Sequence, residues 1–197
     1  MERDTPECRR RRRAFCAFLA LTNAHRLVFI DESFVKTGMR REYAWSLRGQ
    51  PALGTRPFRS WRTVSLVGAV RLGERPRLMT HRGAVNGRTF LQFTKERLVP
   101  WLRPGDIVVL DNLNIHKMSA VRKAIYEAGA SMIFLPTYSP ELNPIELLWA
   151  DFKRTLRRLA VDGEAELRAA VRRLRASFQS NKIEGWFRHC LVQAQRN

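Results

Sequence analysis

Apolar runs and amphipathic stretches alternate along the chain, and they predict a sheet with helices packed against it. Short runs rich in β-branched and apolar residues predict five strands, at 27–32, 41–47, 62–70, 107–110 and 131–135. Apolar residues at helical spacing predict helices at about 87–101, 117–128 and 164–178, with a shorter one around Trp186. Turns and short loops join the first three strands, which suits an antiparallel meander, whereas the last two strands alternate with helices. We therefore expect an α/β fold with helices flanking a mixed sheet.

One more helix is expected to begin at Asn143, with an acid in its first turn. Asn143 can cap the helix, Pro144 suits the first helical position, and Glu146 follows three residues after the cap. The helix then carries an apolar stripe formed by Ile145, Leu148, Phe152, Leu156 and Leu159. Glu146 lies at the edge of that stripe, where its carboxylate can lean over whatever packs against the helix. A capping box with the Asn143 amide would explain the same spacing, so this motif alone leaves both interpretations open.

Two of the predicted strands lead directly into acidic residues. The run 27–30 is followed by Asp31 and Glu32, and the run 107–110 by Asp111. Strand ends of this kind meet at the edge of an α/β sheet, where binding sites tend to form. Because neighbouring side chains on a strand point to opposite faces, Asp31 and Glu32 cannot both face one cleft, and we favour Asp31.

Asp31, Asp111 and Glu146 together have a chemical use. Three carboxylates suit two Mg²⁺ ions roughly 3.5–4 Å apart, which can stabilise the entering and leaving oxygens of a phosphodiester. Like charges that are held close repel each other until a cation arrives, so metal binding and assembly of the site should be coupled.

The overall charge points to a polyanionic partner. The chain has 197 residues, 45% of them hydrophobic, which is enough for one packed core. Lys and Arg number 36 against 18 Asp and Glu, and the excess of +18 is spread along the chain. A folded domain this basic usually binds nucleic acid, although a generally basic protein from an arginine-favouring genome is the alternative. No run approaches the roughly 18 apolar residues that span a membrane, and the three cysteines lack disulfide or zinc spacing, which suits a reducing cytoplasm.

Three blocks of the sequence resemble the signature of a known family. They are Asp31-Glu32-Ser33, the stretch 111–117 that begins Asp111-Asn112, and the stretch 138–146 that ends on Glu146. These blocks are similar to those of DDE transposases in the bacterial insertion-sequence branch of the mariner superfamily. Residues 112–145 separate the last two acids, a spacing similar to that branch, and the resemblance runs from about residue 26 to 190.

The resemblance implies a ribonuclease H-like fold over residues 26–197, after a basic lead-in at 1–25. It implies that Asp31, Asp111 and Glu146 are the catalytic acids and bind two Mg²⁺ or Mn²⁺ ions. The implied reaction is cleavage at transposon ends and joining of the freed 3′ hydroxyl to target DNA. The second block adds residues that could support the metal site or contact DNA, namely Asn112, His116 and Lys117.

The implied partners are double-stranded DNA, both transposon end and target, and a second copy of the chain on that DNA. Residues 1–25 are too few for the helix-turn-helix region that such transposases carry, so we expect a separate subunit or reading frame to recognise the transposon end. The expected location is the bacterial cytoplasm, at the nucleoid. Two alternatives stay open: another ribonuclease H-like endonuclease that cuts without joining, and a domesticated remnant that binds DNA without cutting it.

Overall fold

The computed structural model describes residues 5–41, 43–54 and 62–196, and a five-stranded mixed sheet lies at its centre. The strands are β1 (Leu27–Lys36), β2 (Thr63–Arg71), β3 (Arg77–Arg82), β4 (Ile107–Leu110) and β5 (Ser131–Phe134). Across the sheet they lie in the order β3-β2-β1-β4-β5. The first three strands pair antiparallel, whereas β4 is parallel to β1 and β5 is parallel to β4. The expected α/β fold, with three meander strands and two further strands, is confirmed.

Helices cover both faces of the sheet. They are α1 (Pro6–Leu21), α2 (Gly87–Phe93), α3 (Ser119–Glu127), α4 (Pro144–Leu159), α5 (Glu164–Ser177) and α6 (Ser180–Arg196), and α2 continues in π and 3₁₀ turns as far as Trp101. Side chains alternate along β1, so Leu27 and Phe29 join the core formed with α1, α4, α5 and α6. Val28 and Ile30 join the opposite core, formed with α2 and α3. None of the described helices is long and apolar enough to cross a membrane.

The membership of the meander differs from the prediction. The described residues of the predicted strand 41–47 form no strand, and Glu42 lies outside the described residues. The side chains of Tyr43, Trp45 and Leu47 are exposed, so their alternation reflects no buried face. The third meander strand is instead β3, which the sequence did not predict because Leu78 is its only buried residue. Pairing with β2, more than apolar burial, holds β3 in the sheet.

Strand β1 is longer than predicted, and this changes the setting of the first acid. It runs four residues past Glu32, paired with β2 as far as Lys36. Its pairing with β4 covers only Leu27–Phe29, and β4 itself ends at Leu110. Asp31 therefore lies in the middle of β1 rather than at its end. At this position β1 is no longer paired with β4.

Helix α4 begins where the sequence predicted. The Asn143 side chain accepts a hydrogen bond from the Ile145 amide at 3.3 Å, and Pro144 is the first helical residue. The predicted stripe is buried except for Leu159, the last residue of the helix, which is 53% exposed. The stripe fixes the rotation of α4 on the sheet and so decides where Glu146 points.

Candidate active site

Asp31, Asp111 and Glu146 line one cavity. Its volume is about 420 Å³, and Asp31 and Asp111 line it just beyond the last paired residues of β1 and β4. Asp111 is the first residue after β4, and Glu146 is in the first turn of α4. The other wall is the turn at 135–140, which connects β5 to α4. The fold thus brings together the three acids that are far apart in the sequence.

The Asp31 carboxylate is held by a tryptophan of α4. Trp149 donates its indole Nε1–H to Asp31 Oδ2 at 3.0 Å. Burial, followed by the negative charge of Glu146, raises the pKa of Asp31 to about 7. Trp149 was not among the predicted site residues. Its spacing of three from Glu146, which places both side chains on one side of α4, was the available signal.

Asp111 has the opposite electrostatic setting. Its Oδ1 accepts a hydrogen bond from the Leu113 amide at 3.1 Å and lies 2.6 Å from Nδ1 of His116. Burial alone would raise the pKa of Asp111, but the hydrogen bonds from His116 and Leu113 outweigh it, and the pKa is lowered. Asp111 is therefore ionised at neutral pH and keeps its negative charge on the cavity wall.

Glu146 completes the acidic wall. Burial raises the pKa of Glu146, Lys153 two turns along α4 lowers it, and the charge of Asp111 raises it again, with a net upward shift. The influence of Asp111 on Glu146, and of Glu146 on Asp31, follows from the like charges facing one cavity.

The remaining predicted residues occupy different places. Asn112 lines the cavity beside Asp111. Lys117 is exposed at the end of a 3₁₀ turn, Asn114–Lys117, and does not line this cavity. The His116 ring is fully buried, so it has no surface for a DNA phosphate, and it lies between Asp111 and Glu32. Glu32 was not predicted as a site residue because it faces away from Asp31, but it is connected to Asp111 through His116.

The donor chemistry of this wall suits a hard divalent cation. Three carboxylates offer only oxygen atoms, which Mg²⁺ and Mn²⁺ prefer. Within the described ranges, no group of three His, Cys, Asp or Glu side chains is drawn close enough to hold one ion. Mg²⁺ keeps several of its waters and needs only one or two carboxylates, so this spacing is compatible with the acids sharing two ions.

A second, basic cleft lies at the other end of α4. Its volume is about 570 Å³, and Arg40, Arg41, Arg157 and Arg158 are among its lining residues. Arg40 is paired with Asp162, with nitrogen–oxygen distances of 2.7 and 2.8 Å. At 1.5 Å per residue, Arg157 is about 16 Å from Glu146 along the helix axis.

Known proteins resemble this chain both in sequence, through a family profile, and in structure. The family profile described as DDE superfamily endonuclease matches residues 26–168. Among solved structures, the Mos1 strand transfer complex aligns with a TM-score of 0.78 at 20% identity, over 97% of this chain and 60% of the Mos1 chain. The catalytic domain of Mos1 mariner transposase aligns with a TM-score of 0.71 at 15% identity, over 97% of this chain and 92% of that domain. No curated protein matches the chain.

The metal-containing structures align over the same extent. The Mos1 mariner paired end complex with Mn has a TM-score of 0.75 at 19% identity, covering 97% of this chain and 61% of that one. The corresponding complex with Mg has a TM-score of 0.72 at 20% identity, covering 96% and 63%. The chain thus spans about three fifths of the Mos1 chains in these complexes, and the ribonuclease H-like fold is confirmed. With the profile matched across most of its length, this chain belongs to the DDE superfamily of endonucleases.

Proposed function

We propose that this chain is the catalytic domain of a DNA transposase, which cleaves transposon ends and transfers the freed strand into target DNA in a divalent-metal-dependent reaction. The observation that carries the proposal is the shared cavity of Asp31, Asp111 and Glu146 on a ribonuclease H-like sheet. Membership of the DDE superfamily and the likeness to the Mos1 catalytic domain support it.

In this proposal the three acids are the catalytic residues and hold two Mg²⁺ or Mn²⁺ ions. The bound ions would supply Lewis-acid stabilisation to the entering and leaving oxygens of a phosphodiester. Trp149 would keep the Asp31 carboxylate turned toward the cavity, because the indole N–H donates a hydrogen bond to Asp31 Oδ2. Asn112, on the cavity wall, would hydrogen bond to water or DNA near the reacting phosphate. Lys117, exposed just outside, would contact the DNA backbone.

The DNA would run from this cavity along α4 to the basic cleft. Arg157 and Arg158 line that cleft, and about 16 Å of helix separates it from Glu146. This distance corresponds to about five base pairs of B-form DNA at 3.4 Å each. The surplus of positive charge across the chain, +18, supports binding to the phosphate backbone.

The assembly around the DNA is part of the same proposal. Mos1 has been solved in paired end complexes and with a left transposon end, and the Mos1 chains in those complexes are longer than this one. We propose that two copies of this chain act on paired DNA ends and that a separate helix-turn-helix region recognises the terminal repeat. Residues 26–197 would then be the catalytic domain, with residues 1–25 as its basic lead-in.

The decisive experiment tests strand transfer with a DNA duplex whose 3′ hydroxyl is already free. A labelled duplex that ends in a free 3′ hydroxyl is incubated with supercoiled plasmid and Mg²⁺ or Mn²⁺. We expect labelled plasmid from the wild-type chain. Glu146→Gln and Asp111→Asn should reduce joining by at least about 100-fold, because a metal ion contributes several kcal/mol and 1.36 kcal/mol is a factor of ten.

The same assay separates the alternatives. Nicked plasmid without joined product would identify a nuclease that does not transfer strands. Binding to the duplex with neither nicks nor joined product, and with no response to metal, would identify a DNA-binding remnant. Equal activity of Glu146→Gln and the wild type would overturn the assignment of the acidic site.

A further inference from the structure

A continuous chain of side chains, Glu32–His116–Asp111, connects the two strands that carry the first two acids. Nδ1 of His116 lies 2.6 Å from Asp111 Oδ1, and Nε2 lies 2.8 Å from Glu32 Oε1. One imidazole therefore contacts two carboxylates, one at each ring nitrogen. Glu32 directly follows Asp31 in the sequence but projects from the opposite face of β1.

These three side chains lie beyond the part of the sheet in which β1 and β4 are paired. Backbone pairing between β1 and β4 covers only Leu27–Phe29 against Ile107–Val109. Glu32 and Asp111 both lie beyond the last paired residues of β1 and β4, and Asp111 lines the cavity. The contacts through His116 therefore join β1 to the segment after β4, beyond the last paired residues of the two strands.

The His116 ring has little freedom to move. It is completely buried, and its centroid lies 4.4 Å from that of Phe90 in α2. With both nitrogens engaged and one face packed, the ring cannot rotate without breaking a contact. The Asp111 carboxylate is held in place in turn, because His116 and the Leu113 amide both contact its Oδ1. Among the described contacts Oδ2 takes part in neither, so it is the oxygen left for a cation.

Glu32 is committed to this arrangement. Its side chain is only 15% exposed, and within the described part of the chain its Oε2 is buried without a hydrogen-bond partner. A carboxylate held this way is unfavourable unless its other oxygen is well paired. The pairing that it has is with His116.

We propose that Glu32 and His116 are positioning residues, which together hold Asp111 in the orientation that binds the metal ion. This inference rests on the proposed function and extends it to two residues that touch no substrate. Glu32 also links the two acids mechanically, because any shift of β1 that moves Asp31 moves the support of Asp111 as well.

Two substitutions of His116 divide its contacts. The amide nitrogen of Asn lies where His has Nδ1, so His116→Asn can still donate to Asp111 but not reach Glu32. The longer Gln places its amide near Nε2, so His116→Gln keeps Glu32 and loses Asp111. Mn²⁺ affinity, measured by isothermal titration without DNA, should fall about 10- to 100-fold in His116→Gln, the usual effect of removing a partner of a metal ligand. We expect a smaller loss in His116→Asn.

Three controls make the result decisive. His189→Gln, an exposed site on α6, is the matched substitution and should leave Mn²⁺ affinity unchanged. Asp111→Asn should remove binding at this ligand. Thermal unfolding of both His116 variants shows whether each is folded.

Equal Mn²⁺ affinity in His116→Gln, His116→Asn and the wild type would overturn the positioning role. Equal losses that track the loss of thermal stability would also overturn it, since His116 would then merely fill the core. Failure of the proposed function is a separate outcome: the wild type would neither bind Mn²⁺ nor differ from Asp111→Asn.

Discussion

At the scale of single residues, Gly68 gives the site the space it needs. It lies on β2 directly opposite Asp31 of β1. A Cβ atom at this position would come within 2.7 Å of both Leu78 Cδ2 and Trp149 Cη2. Trp149 is the residue that donates to Asp31. The missing side chain thus lets the indole ring approach β2 closely while it donates to Asp31.

Gly68→Ala adds only one methyl group, but we expect it to lower both the stability of the protein and its DNA cleavage. The added methyl must displace Trp149 or Leu78, and overpacking of this kind typically destabilises a protein by about 1–3 kcal/mol. We expect a matching decrease in the free energy of unfolding, together with lower metal-dependent DNA cleavage, because the Trp149–Asp31 hydrogen bond lengthens. Urea denaturation and plasmid nicking measure the two effects.

Gly185→Ala is the matched control. Gly185 is exposed within α6, and a Cβ atom there would meet nothing within 4 Å. Since glycine is less favourable than alanine inside a helix by roughly 0.5–1 kcal/mol, this change should stabilise the protein by about that amount and leave cleavage unchanged. If Gly68→Ala behaves like Gly185→Ala, the close packing of Trp149 does not matter for the site.

At the scale of elements, the sequence predicted those parts of the fold that carry a buried apolar pattern. Helix α4 has a cap, a proline and a stripe, and its start was predicted to the residue. The stretch at 41–47 has the alternation of a strand, but its described residues pair with no other strand. Strand β3 has the opposite combination, since it pairs with β2 but lacks the alternation. Pairing between strands is a tertiary property, which local pattern does not encode.

The same limit applies to the site. Asp31, Asp111 and Glu146 could be predicted because each follows a recognisable strand or helix signal. Glu32 could not, since its contact with His116 bridges 84 positions of sequence. The alternation of side chains on β1 correctly separates Glu32 from Asp31, but it does not reveal what the far face of the strand meets.

A buried ion pair anchors the end of the sheet opposite the acids. Arg71 at the end of β2 pairs with Asp106, the residue before β4, across the first residues of β1. The two side chains are 1% and 5% exposed, and the Arg71 guanidinium packs 4.9 Å from the Trp101 ring.

Asp106→Ala should destabilise the protein by about 3–5 kcal/mol, because it leaves the Arg71 charge buried without its main partner. Glu74, 3.6 Å away, offers partial compensation and favours the lower end of that range. Lys123→Ala, which breaks the exposed pair with Glu127, should change stability by less than about 0.5 kcal/mol. Chemical denaturation measures both, and a cost below about 1 kcal/mol for Asp106→Ala would contradict the anchoring role.

At the scale of the whole molecule, charge governs the first encounter with DNA. A surplus of +18 on 197 residues gives a positive field over much of the surface, whatever the DNA sequence. Binding that releases counterions from DNA weakens with salt in proportion to the number of phosphates contacted. The basic cleft at the end of α4 is the place where we expect several of those contacts.

Affinity for a random-sequence duplex should therefore fall steeply with salt. Five phosphate contacts would give a slope of about −4.5 in log affinity against log salt, or a loss of about 500-fold between 50 and 200 mM. Replacing Arg157 and Arg158 with Gln should make the slope shallower by about 1.8, since each phosphate contact contributes about 0.9. Arg122→Gln, an exposed arginine on α3 away from the cleft, is the matched control and should leave the slope unchanged. Fluorescence anisotropy titrations at four salt concentrations measure these slopes. If the double variant keeps the wild-type slope while Arg122→Gln makes the slope shallower, the DNA follows the α3 face and not the cleft beside α4.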